Sequence, residues 1–126
     1  MVKKLFHPRL SAAIALLVYG SWAGFTNRDY NLVVILKAFF TQGLFAFIAT
    51  LLLGTAAQNL FRRNGADYKA LFISFGVCFV IICCVPSTLH WLIGTPHIFY
   101  SVLPGLIWGS LYIGILLALH HKESRI

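Results

Sequence analysis

Four long apolar runs, separated by short polar turns, restrict this chain more than any other feature. They cover about residues 10–26, 32–61, 70–92 and 97–119. Runs of this length with few charges suit helices that cross a hydrocarbon core of about 30 Å. Lipid offers no hydrogen bonds, so a spanning segment must satisfy its backbone within itself, as a helix does. Only 10% of the 126 residues are charged, against about 25% in a typical soluble domain. The mean hydropathy is +0.85. A water-soluble globule of this size is excluded.

The net charge of +7 raises the question of nucleic acid. The basic residues flank the apolar runs in small groups and form no stripe, so the bilayer is the expected partner and nucleic acid is not. Placing the N-terminus in the cytoplasm puts Lys3, Lys4, Arg9, Arg62, Arg63, Lys69, Lys122 and Arg125 inside. Arg28 and Lys37 are then outside. This positive-inside asymmetry sets the orientation. The expectation is an all-α membrane protein, one domain over residues 1–126 with four transmembrane helices. Both termini are cytoplasmic, and the protein is multi-pass in a cell inner (cytoplasmic) membrane.

The punctuation supports the division. Asn31 and Asp67 are placed to cap the second and third helices, and Asn64-Gly65 signals a turn. Thr95-Pro96 reads as the cap and first residue of the fourth helix. Pro86 falls inside the third run and frees a carbonyl one turn earlier. The second helix, about 45 Å long at 1.5 Å per residue, must tilt or project beyond the core. Trp22, Tyr30, Trp91 and Tyr100 fall at predicted ends on one side, as an interfacial aromatic belt does.

Two GxxxG patterns, Gly20–Gly24 and Gly105–Gly109, offer faces that another helix can approach closely. Four short helices enclose little volume. A homo-oligomer or a larger membrane-protein partner is therefore expected.

The polar residues concentrate at the outer end. Arg28, Lys37, Thr41, Gln42, His90 and His97 are the candidate ligand-binding residues. Together they would form a positive, donor-rich pocket suited to phosphate or carboxylate, such as a lipid headgroup. The plainer alternative has Lys37 snorkelling to the interface and Gln42 bonding to a neighbouring helix.

His90, His97 and Asp29 match no metal-ligand spacing, so no metal is expected. Cys78, Cys83 and Cys84 all fall in the third run and read as small buried apolar residues. No nucleophile motif and no carboxylate pair is present, so neither an enzyme nor a cofactor is expected. In length and number of runs the chain looks like the small multidrug resistance exporters. That family's first-helix glutamate has no counterpart between Leu10 and Thr26, so its function is not implied. Two functions follow. The first is transport or lipid handling with recognition of an anionic group on the outer face. The second is a non-catalytic accessory or assembly subunit of a membrane complex.

Overall fold

The computed structural model describes residues 8–125. It contains four helices: α1 (Pro8–Thr26), α2 (Leu32–Arg63), α3 (Tyr68–Ile93) and α4 (Ile98–Ser124). No strand occurs among the described residues. Lys3 and Lys4, counted above for orientation, lie outside them. Helices α2, α3 and α4 are long and apolar enough to cross a membrane. The apolar character of α1 is diluted by Arg9, Ser11, Gly20, Ser21 and Gly24. Helix α4 continues through the polar tail to Ser124, five residues past the expected end at residue 119.

The caps follow the side chains. The Asn31 carboxamide accepts from the Val34 N–H at 3.0 Å. The Asp67 carboxylate accepts from the Ala70 N–H at 2.8 Å. Each satisfies one of the N–H groups that a helix start leaves without an internal partner. Helix α3 ends on Gly94, whose φ of 80° lies in the left-handed region that glycine enters without strain. The Thr95 N–H then returns to the His90 carbonyl at 2.9 Å, and the Gly94 N–H to the Trp91 carbonyl at 3.2 Å. This pair of bonds is a Schellman motif, and it folds Thr95 back over the last turn of α3.

Helix α2 is central and packs on the other three. Helix α4 also touches α1 and α3, while α1 and α3 are not in contact. The α1–α2 crossing is close because glycines face it. A Cβ at Gly20 would sit 2.8 Å from the Phe39 carbonyl oxygen. One at Gly43 would sit 2.9 Å from the Leu16 carbonyl oxygen and 3.5 Å from the Gly20 Cα. Ala12, Ala23, Ala38 and Ala46 are buried in the same region of the bundle. On α4, Gly105 leaves room for the Gln42 amide nitrogen and Gly109 for the Ile82 side chain. Both GxxxG faces are therefore filled within one chain, and the glycines supply no argument for a second copy.

Toward the opposite end, Leu53, Ala57, Phe61, Ala70, Cys78, Ile82, Ile113 and Leu117 form a continuous apolar core. Of the cysteines only Cys78 is buried; Cys83 is half-buried and Cys84 is exposed. His121 is buried against Tyr68 and Phe61, with ring centroids at 4.4 and 6.1 Å. The outer surface of all four helices is lined with large exposed apolar side chains.

Candidate functional site

The loops after α1 and α3 meet at one end of the bundle, and two buried polar clusters hold them there. The first joins α2 to the end of α3. His90 has no exposed surface and Gln42 is 1% exposed. The His90 Nε2 lies 2.9 Å from the Gln42 Oε1. The His90 Nδ1 lies 2.9 Å from the Thr95 Oγ1. An amide oxygen only accepts, so Nε2 carries the imidazole proton and Nδ1 accepts from the Thr95 hydroxyl. The Schellman turn at Gly94 is what brings that hydroxyl to the ring nitrogen.

The Thr95 side chain therefore does not cap α4, as the sequence suggested. His97 is the capping residue, and its own side chain makes no capping bond. The cap comes from another helix. The Asn27 Oδ1, just past the end of α1, accepts from the His97 N–H at 3.0 Å. The Asn27 Nδ2 donates to the Ala23 carbonyl at 2.8 Å and to the Ser101 Oγ at 2.9 Å. The Ser101 hydroxyl donates to the His97 carbonyl at 2.5 Å. Asn27 has no exposed surface, and its amide has a partner for both N–H groups and for its oxygen. This second cluster fastens the end of α1 to the start of α4.

A third tie has a backbone cause. Pro104 has no N–H, so the Tyr100 carbonyl one turn earlier loses its helical donor. The Trp22 Nε1 donates to that carbonyl at 2.7 Å. A carbonyl left without a donor in an apolar setting would cost about 1–3 kcal/mol, so the indole relieves a defect made by the proline.

These ties leave a shallow, open cleft of about 260 Å³ at the end where the two loops meet, lined by Trp22, Phe25, Thr26, Arg28, His97 and Tyr100. The Arg28 guanidinium lies 4.3 Å above the centre of the Phe25 ring. Its Nη1 donates to the Phe25 carbonyl at 3.2 Å. One N–H of five is used, so the rest remain to serve an acceptor. The His97 ring is half-buried and edge-on to Tyr30 at 5.6 Å.

The six candidate residues thus fall into separate places. Arg28 and His97 share the cleft. Gln42 and His90 meet in the buried cluster, where the Gln42 Oε1 accepts from the His90 ring. Thr41 is half-buried on α2, and Lys37 is exposed there. Gly20 and Gly24 face α2, while Gly105 and Gly109 face Gln42 and Ile82.

Sequence reading missed the roles of Asn27, Ser101, Thr95, Gly43 and Trp22. The pairing of Trp22 with a carbonyl freed by Pro104 could have been sought, because a proline inside a helix always leaves such a carbonyl. The pairing of Asn27 with Ser101 has no local signal. Compared with known protein families, curated proteins and solved structures, the chain matches none.

Proposed function

We propose that this is a four-span membrane protein that recognises an anionic group at its outer face, in transport or lipid handling. Arg28 and His97 are the recognising residues. The observation that carries this reading is the outer cleft, in which two nitrogen-rich side chains lie among Trp22, Phe25 and Tyr100 and no carboxylate lines the wall. A guanidinium with free donors matches a phosphate or carboxylate in shape and charge.

Four spans are supported by α1 itself. At 19 residues it is about 28 Å long, close to the core thickness of about 30 Å. It presents Leu10, Ile14, Leu17, Val18 and Phe25 outward. With α1 crossing, the distribution of basic residues supports cytoplasmic termini at both ends. Lys37, exposed on α2, serves as an interfacial anchor or as a more distant charge for the same anion.

A second reading draws on a different observation. Gln42, His90, Thr95, Asn27 and Ser101 are all taken up by internal hydrogen bonds. A subunit whose polar groups serve packing and whose surface is apolar suits an accessory role in a larger membrane complex.

Complementation of a deletion strain's growth or transport phenotype separates the two. Anion recognition predicts that Arg28→Gln loses function with expression unchanged, and that His97→Gln weakens it. Full complementation by the Arg28→Gln, Lys37→Gln double variant would move the assignment to the accessory role.

A further inference from the structure

The cleft at Arg28 and His97 does not end at the loops. It shares Trp22 and Phe25 with a larger groove, of about 600 Å³, that continues between α1 and α4 past Val18, Tyr19, Pro104 and Trp108. The two helices are tied at their outer end by Trp22 and Asn27. The glycine face of α1 is turned onto α2. What α1 shows toward α4 is therefore mostly apolar and aromatic, with Val18, Trp22 and Phe25 exposed and the Ser21 hydroxyl the one small polar group beside Tyr19. On α4, Trp108 is 63% exposed although it is among the largest side chains present.

Length decides what such a groove can hold. From His97 to Trp108 the α4 backbone advances about 16 Å at 1.5 Å per residue. Half of a hydrocarbon core of about 30 Å is about 15 Å, so the groove spans one leaflet, from interface to midplane. The charge lies at the interfacial end only. Arg28 and His97 stand at the mouth, and no charged side chain lines the remainder. Asp29, next to Arg28 in sequence, is exposed and lines neither part. A cationic mouth on an apolar furrow one leaflet deep complements an amphiphile with an anionic head and a long tail. A free anion would use the mouth and leave the furrow unfilled.

We propose that the α1–α4 groove holds one acyl chain of an anionic phospholipid from the outer leaflet, with its phosphate at Arg28 and His97. This rests on the anion-recognition reading above and adds the ligand class. The phosphate accepts from the free guanidinium N–H groups. The chain lies along Phe25, Trp22 and Val18 toward Trp108. The Trp22 tie to the Tyr100 carbonyl holds the mouth at fixed width.

The test uses the full chain carrying Trp91→Phe, an exposed position, in nonionic detergent. The remaining indoles, Trp22 and Trp108, both line the groove. Their fluorescence is titrated with phosphatidylglycerol brominated on its acyl chains, and with brominated diacylglycerol, which has the same tails and no phosphate, for comparison. The proposal predicts saturable quenching at one lipid per chain. Phosphatidylglycerol should act at about tenfold lower mole fraction, the difference expected of one charge-assisted hydrogen bond. Arg28→Gln should erase that difference. Val18→Phe, which fills the groove without touching the mouth, should weaken quenching by both lipids.

Quenching that never saturates and ignores the headgroup means annular lipid only and overturns the proposal. Headgroup-selective quenching that inorganic phosphate displaces, and that Val18→Phe leaves unchanged, keeps the anion reading and overturns the acyl groove. A dimer in detergent that resists both lipids and separates on Val18→Phe gives the groove to a second copy and also overturns it. The comparison of the two lipids on the Trp91→Phe chain decides the matter even where Val18→Phe does not fold.

Discussion

The Gln42–His90 contact makes a quantitative prediction, because both partners are buried and the bond between them is 2.9 Å long. Gln42→Leu removes the acceptor of the imidazole N–H and leaves a buried donor unpaired, at about 1–3 kcal/mol. His90→Leu leaves the Gln42 oxygen and the Thr95 hydroxyl unpaired, at a similar or larger cost. In the double variant neither orphan faces the other. Its loss should fall short of the sum by the coupling energy, which for side-chain bonds between membrane helices averages about 0.6 kcal/mol and reaches about 1.7. Full burial, and the second bond that fixes the His90 ring to Thr95, place this pair at the upper end, about 1–1.5 kcal/mol. Reversible unfolding by titrating a denaturing detergent into mild-detergent micelles, followed by circular dichroism, yields all four stabilities. Additive losses would refute the reasoning that these residues hold one another. So would a Gln42→Leu chain as stable as the parent.

Other expectations follow from single contacts. Gly20→Ala forces a methyl against the Phe39 carbonyl, so it should destabilise the chain by about 1–3 kcal/mol in the same titration and leave its oligomeric state unchanged. Trp22→Phe should cost about 1–3 kcal/mol by orphaning the Tyr100 carbonyl; combined with Pro104→Ala, which returns a helical donor to that carbonyl, the cost of Trp22→Phe should fall by at least half. Asn27→Leu removes the cap of α4 together with the link to Ser101, and should be among the most damaging single changes, at about 3 kcal/mol. Lys37→Gln should leave stability within about 0.5 kcal/mol, as expected for an exposed side chain.

Much of the architecture was legible because lipid permits few solutions. Long apolar runs must be helices, and Asn31 and Asp67 marked two helix starts through their own side chains. The alternative considered for Gln42, a bond to a neighbouring helix, is the one the structure contains. Its partner was not legible. His90 lies 48 residues away, and which helix faces are turned together depends on packing at Gly20, Gly43 and Gly105. The cleft was legible in part. Arg28 and His97 were grouped because both loops were expected on one membrane face, and both line the cleft. Lys37 was grouped with them by depth alone, and depth says nothing about which way a helix is rotated. Thr95 misled because a threonine before proline is a common cap, whereas here a left-handed glycine turns it back onto α3.

The account depends on all four helices crossing, so that Arg28 and His97 share an outer face and the groove lies in one leaflet. Cysteine accessibility tests this most directly. Single cysteines at Arg9, Arg28, Arg62, His97 and Lys122, in a chain with Cys78, Cys83 and Cys84 replaced, are probed in intact cells with a membrane-impermeant maleimide. The account predicts labelling at positions 28 and 97 alone, with 9, 62 and 122 labelled only after the membrane is opened. Labelling of positions 9 and 28 from the same side would mean that α1 does not cross, and would contradict it.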